Sequence, residues 1–393
     1  MIAWVGFFLA IASLLLISSK NLALAMFVGS FILGIFTMGP SQLMVEFWYA
    51  ISDISTILLA ITVGLIPLIG GTLKHTGQMD HLVDNLRIGK KALLAISPAL
   101  IGMMPMPGGA LLSCPLVEKS SKDVLQNVKT GLNVWFRHVL YLIYPLAPAL
   151  IVSTRVAGLD VYQTVPYLVP FLFFSLALGY IFFLRNVPGK IEYKNEFKLK
   201  KLVPPLAVIL LAPLIDFSFK DVLSPEELAT LIGVTTSLIL ALLFGKVQAK
   251  ALIRIIKDSK PWNFAMMIIG ITLFLNVFSA SGIPELIVNI EMPAEILCVA
   301  IAFLLGFGTG RIVIPAGIVI PMFLTKFGPI SSITFAIVYF SIFLGYVITP
   351  IHPCVSLTAE FFKVNTKDFL KVMLPPTLIA LATSFILIGI FGT

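Results

Sequence analysis

Arg311 is the residue of this chain that most needs a chemical reason. It sits inside the apolar stretch GFGTGRIVIPAG, Gly306 to Gly317, and an arginine at the centre of a membrane-spanning segment costs about 2.5 to 3.5 kcal/mol even on the lenient insertion scale. Two chemistries meet that cost. The guanidinium can hold a substrate carboxylate, bidentately where geometry allows, or it can close a structural pair with a buried acid or with nearby carbonyls. His352 lies between Pro350 and Pro353 in TPIHP, Thr349 to Pro353. It can donate to an anion, titrate during transport, or serve as a packing histidine.

Two further breaks accompany these. YPLAP, from Tyr144 to Pro148 with Pro145 inside it, repeats the Pro-x-x-Pro spacing, and MMPMPGGALL, Met103 to Leu112, places Pro107, Gly108 and Gly109 in a second interrupted stretch. Proline removes a donor and frees the carbonyl four residues earlier, leaving oxygens for a cation or water. Glycine lets a ligand approach backbone amides. A helical limb beginning after Gly108 and Gly109, or after Gly310, would aim its positive end at an anion near the midplane. One such break alone reads as a kink or a packing contact; four placed symmetrically read as a site, because broken helix is tolerated in hydrocarbon only where protein or a water-filled cavity surrounds it.

The other candidates are weaker. Arg137 and His138 lie about two turns inside the end of a span, where a long side chain can snorkel outward. Glu360 reads as an interfacial charge. Cys114, Cys298 and Cys354 are far apart in sequence, with neither a disulfide framework nor a zinc spacing, and read as packing residues. The MMPM run reads as adaptable packing. With no nucleophile-base constellation and no metal-ligand cluster visible, an intramembrane enzyme is disfavoured, and the reading requires no metal and no cofactor.

The elements that must position these residues follow from composition. Of 393 residues 59% are hydrophobic and 12% charged, and mean hydropathy is +1.04, which makes lipid the solvent. The first apolar run lacks the flanks of a cleavable signal peptide. Apolar runs predict ten spans, at 2-18, 22-38, 54-73, 131-152, 161-184, 202-219, 228-245, 262-281, 332-358 and 372-392. Residues 92-117 and 294-324 are each split by Pro and Gly into limbs of about 20 Å, short of a hydrocarbon core of about 30 Å, and are expected to be re-entrant hairpins. Residues 79-87 place Met79, Leu82, Val83 and Leu86 on one helical face and Asp80, His81, Asp84 and Arg87 mostly on the other, as an interfacial helix does.

With the hairpins entering and leaving on one side, 22 of the 27 basic residues fall on one face of the membrane. By the positive-inside rule that face is cytoplasmic and both termini lie outside the cell membrane. The charged segment 185-201 would be a cytoplasmic linker between a first repeat, 1-184, and a second, 202-393. An offset of 205 residues superposes Gly77 on Gly282, Tyr141 on Tyr346, Pro145 on Pro350, Pro148 on Pro353 and Pro170 on Pro375. Five spans per repeat would invert the second copy. The expected fold is an all-α polytopic membrane protein with ten transmembrane helices and two re-entrant hairpins in two inverted repeats.

PMPGGALLSCPLVE in the first hairpin and YVITPIHPCVSLTAEFF in the ninth span resemble domain-of-unknown-function family 401. That family is similar to the ion transporter superfamily of dicarboxylate, citrate, gluconate and lactate permeases. The resemblance covers essentially the whole chain. It implies a substrate held between two hairpin tips and two unwound helices, here Gly108 and Gly109, Thr309 to Arg311, Tyr144 to Pro148 and Thr349 to Pro353. Neither tip carries the Ser-Asn-Thr triplet of sodium-coupled dicarboxylate members. The expectation is a secondary transporter of a small organic anion, a carboxylate foremost, coupled to protons or sodium and working by alternating access. A channel lined by the broken helices is the alternative. Membrane lipid is the surrounding partner, a homodimer is compatible with this reading, and the basic excess is explained by topology without nucleic acid.

Overall fold

The computed structural model describes residues 2–18, 21–103, 109–121, 123–189, 193 and 196–391. The described residues are helical or connecting, without strands. The first half contains α1 (Ile2–Ser18), α2 (Leu22–Thr37), α3 (Pro40–Ser52), α4 (Ile54–His75), α5 (Gln78–Asp84), α6 (Lys90–Met103), α7 (Ala110–Ser120), α8 (Gln126–Val139), α9 (Pro148–Ala157) and α10 (Val161–Gly179). The second contains α11 (Leu199–Phe219), α12 (Glu227–Phe244), α13 (Ala249–Ser259), α14 (Pro261–Ala280), α15 (Ile283–Val288), α16 (Ala302–Thr309), α17 (Val313–Phe327), α18 (Ser332–Ile348), α19 (Pro353–Phe361) and α20 (Thr366–Phe391). A wider π turn extends α10 through Leu184, and another precedes α16 from Ile296.

Local chemistry sets many of the starts. Asn21, Asp53, Asp160 and Ser331 each accept a backbone N–H three residues ahead and cap α2, α4, α10 and α18, satisfying an amide that the first turn leaves open. Pro40, Pro148, Pro261 and Pro353 open α3, α9, α14 and α19, where proline's missing N–H costs nothing. Gly77 (φ +70°) and Gly282 (φ +71°) turn the chain into α5 and α15, a left-handed conformation that other residues resist.

Seven helical stretches among the described residues are long and apolar enough to cross a membrane, while α1 and α2 are shorter apolar helices. Large apolar side chains such as Leu16, Ile35, Phe173, Leu243 and Ile386 point outward and are exposed, as lipid-facing residues must be. The chain is an all-α polytopic membrane protein.

Several boundaries differ from those expected. Residues 131–152 do not form one span: α8 starts at Gln126, and the helix stops after Leu142 and restarts at Pro148. The 332–358 segment divides likewise into α18 and α19. Helices α3 and α13 lie between the expected spans. In α13, AKALIRIIKDS, apolar residues recur at helical spacing, but its basic residues lower the hydropathy that marks a span. The expected interfacial helix is present as α5, burying Met79, Leu82 and Val83, and it ends before Leu86.

Two groups of helices result. In one, α1 packs on α2 and α11 on α12, and the pairs cross through α2–α14 and α4–α12. In the other, α6 packs on α8 and α16 on α18, with α7 against α19 and α9 against α17. Of the short helices, α5 packs within the first group, against α4 and α11, and α15 touches both groups, through α14 and α17. Backbone approach in the second group is close because glycine lines it. A Cβ at Gly345 would stand 2.1 Å from the Phe303 carbonyl oxygen, and one at Gly306 would stand 2.3 Å from that of Ile342. Gly345→Val therefore forces α16 and α18 apart, with an expected loss of about 1–3 kcal/mol read as a lower melting temperature in detergent. Gly317→Ala, where nothing lies within 4 Å of the added carbon, is the control and should not melt earlier.

Candidate functional site

The two helix breaks are built alike. Ala147 (φ −65°, ψ 120°) and His352 (φ −67°, ψ 124°) are the extended N-caps from which α9 and α19 restart, the conformation that proline imposes on the residue before it. Pro148 and Pro353 are therefore the first residues of the restarted helices.

The breaks meet through two imidazoles. His138 Nε2 and His352 Nε2 are 3.1 Å apart, and the Tyr346 ring lies 4.2 Å from that of His352 and 5.3 Å, edge-on, from that of His138. His138 Nδ1 is 2.6 Å from the Val134 carbonyl. A carbonyl only accepts, so Nδ1 carries the hydrogen and Nε2 offers a lone pair. His352 Nε2 then donates across the pair, and His352 Nδ1 is left a buried acceptor with no hydrogen-bond partner among the described residues.

Cys354 brings a third ligand-type atom, so that His138, His352 and Cys354 present theirs within 4.8 Å of one another. The donor types suit a soft metal. The charges acting on His352 are nevertheless the guanidiniums of Arg137 and Arg311, and beside them a dication would be repelled.

Arg137 does not snorkel. It is 3% exposed, and Nη1 donates to the Gly109 carbonyl at 2.9 Å, which ties the N-cap of α7 to α8. Asn133 reinforces that join, donating to Thr358 Oγ1 at 3.1 Å and to Cys114 Sγ at 3.3 Å. At the other tip Gly310 is left-handed (φ +58°), and a Cβ there would come within 3.1 Å of the His352 amide nitrogen. Thr309 Oγ1 donates to the Leu305 carbonyl at 2.7 Å and accepts from the Arg311 amide at 3.2 Å. Arg311 is half-buried, and among the described residues its guanidinium makes no hydrogen bond or ion pair. Thr349 is buried and accepts from the Ile351 amide at 3.3 Å. The Pro350 carbonyl accepts from Ser356 Oγ at 2.7 Å.

Gly109, Arg137, His138, His352, Gly310 and Arg311 thus form one continuous chain of contacts and sequence neighbours. Pro107 and Gly108 lie outside the described residues. Tyr144 turns away from the pair, its hydroxyl donating to the Ile209 carbonyl of α11 at 3.2 Å. Pro145 lines a separate cavity of about 660 Å³ with Arg155, Asp216, Lys220 and Glu227. The pairing of His138, His352 and Cys354 had no signal in sequence spacing, because 214 residues separate the two histidines.

Around that cavity an ion network links the groups of helices. Arg155, in α9, pairs with Glu227 of α12 and lies 3.6 Å from Asp53. Lys220 pairs with Asp160 and lies 3.4 Å from Glu226. The Thr56 hydroxyl holds the Asp53 carboxyl below its usual range. Burial pushes Asp160 up, but its bonds from Lys220 and the Gln163 amide outweigh that and leave it lowered.

Residues 3–391 match a family described as protein of unknown function, DUF401. The chain belongs to the DUF401 family. In fold this DUF401 chain is similar to the YdaH transporter of Alcanivorax borkumensis, whose crystal structure is described as revealing an unusual topology. The TM-score is 0.66 at 14% identity, with 98% of each chain covered. No curated protein matches the sequence.

Gly310 offers a direct check of how the candidate site is held. Gly310→Ala places a side chain in the left-handed region, at a cost of about 1–2 kcal/mol, and presses it against His352. Amide hydrogen exchange in residues 349–353 should rise while that of α1 and α2 does not change.

Proposed function

We propose that this protein is a secondary transporter moving a small organic anion, in the carboxylate class, across the cell membrane by alternating access. The observation that carries the reading is the Arg311 guanidinium, half-buried beside His352 at a tip between helices and without a polar partner among the described residues. A desolvated cation of that kind is compensated by a bound anion, and a planar fork of donors fits a carboxylate. The Arg137–Gly109 bond and the Gly310–His352 contact gather both tips and both breaks around it.

The wider reading follows the same lines. Element bounds recur at an offset of 205 residues, as with α5 and α15, α9 and α19, and α10 and α20. This supports two inverted repeats, with α6–α7 and α16–α17 as re-entrant hairpins of the kind found in the ion transporter superfamily. The basic excess supports external termini and a cytoplasmic linker at 185–201. Motion of the group bearing α6–α10 and α16–α20 against the other would expose the site alternately, with α5 and α15 as the connecting arms.

Uptake of labelled carboxylates into proteoliposomes tests the assignment. Wild-type uptake should saturate. Arg311→Ala should raise KM by about tenfold to a hundredfold, following loss of a charged hydrogen bond of about 1.5–3 kcal/mol, and Arg311→Lys should recover part of it. Unchanged carboxylate uptake in Arg311→Ala removes Arg311 from the site, and flux without saturation favours a channel.

A further inference from the structure

The imidazole pair has a hydrogen count that only one neutral arrangement satisfies. Val134 fixes one hydrogen on His138 Nδ1, and the 3.1 Å contact takes its single hydrogen from His352 Nε2. His352 Nδ1 keeps a lone pair with no partner, in a side chain 6% exposed. A buried acceptor left in that state costs about 1–3 kcal/mol. One added proton changes this without disturbing the pair, because an imidazolium at His352 keeps its Nε2–H bond to His138 and gains a donor at Nδ1.

The groups that face the pair define when this happens. They are Tyr346 on α18, Cys354 on α19, Arg137 on α8 and Arg311 between α16 and α17. Tyr141 lies within electrostatic reach of Arg311, and Cys114 on α7 within that of Arg137. The fixed charges among these are two cations. A third positive charge is accommodated there together with an anion that offsets it. A hard cation such as sodium takes oxygen ligands, whereas the unpartnered atom is a nitrogen.

We propose that His352 Nδ1 is the proton-binding site that couples transport: one proton, taken from water on the side to which the site is open, binds with the anion and is returned to water with it on the other side. This rests on the anion reading above. The step forms one N–H bond on loading and breaks it on release, leaving His352 neutral for the return. By linkage, anion and proton each raise the affinity for the other by the same factor.

The test uses wild-type and His352→Gln proteoliposomes with labelled gluconate, succinate and citrate in turn, an interior alkaline by one pH unit, the membrane potential clamped at zero and a pH-sensitive dye inside. Protein-free liposomes give the background. For gluconate carried with one proton, the gradient supports about a tenfold plateau of accumulation, and the dye should record acidification as the label enters. In His352→Gln the plateau should stay near one whatever the rate. Wild-type entry of label without acidification overturns the proposal even if the variant does not fold, and a gradient-driven plateau in the variant overturns it too. Exchange that is intact but indifferent to pH defeats proton coupling alone. Absence of exchange for all three acids in wild-type protein defeats the anion reading and proton coupling with it.

Discussion

A helix that stops inside an apolar bundle exposes carbonyls and amides that neither lipid nor water can satisfy, and the organisation of this protein answers that constraint. The chain stops twice in matching places, before Pro148 and before Pro353, and each stop is enclosed by protein. Helices α8 and α18 are almost wholly buried, and close contact at Gly306 and Gly345 lets α16 lie directly on α18. Arg137 spends its guanidinium on the Gly109 carbonyl. Such enclosure leaves a polar interior that an ordinary helical bundle could not keep.

Element bounds such as those of α9 and α19 recur at an offset of 205 residues, but the chemistry does not recur. At the offset that relates the halves, Arg311 corresponds to Met106, His352 to Ala147, Arg137 to Ile342 and His138 to Phe343. The first half supplies Arg137 and His138, the second supplies Arg311, His352 and Cys354, and the two sets meet at one place. The candidate site is thus composite, drawing its side chains from both halves of the chain.

Much of the frame was legible in the sequence because hydropathy and proline act locally. The Pro-x-x-Pro motifs marked the restarts at the residues where they occur, and the apolar runs located the long helices. Helices α3 and α13 were missed because each carries polar residues that lower the hydropathy on which span reading depends. Arg137 was read as reaching outward, since the sequence does not say that a carbonyl 28 residues away lies within 2.9 Å. The histidine pair was invisible for the same reason: its members belong to different halves, and no periodicity spans that distance.

The ion network of Asp53, Arg155, Asp160, Lys220, Glu226 and Glu227 occupies one end of the molecule only. The positions 205 residues from Arg155, Asp160 and Glu227 are Glu360, Asn365 and Leu22, and among the described residues they form no ion pair. The two groups of helices are therefore clasped by charge at this rim. Charge attraction among the members that solvent reaches, Asp53, Arg155 and Glu226, weakens as ionic strength rises, while apolar burial does not weaken in that way. The clasp between the two groups of helices would then loosen with the salt bathing that rim, while the apolar contacts between them would hold.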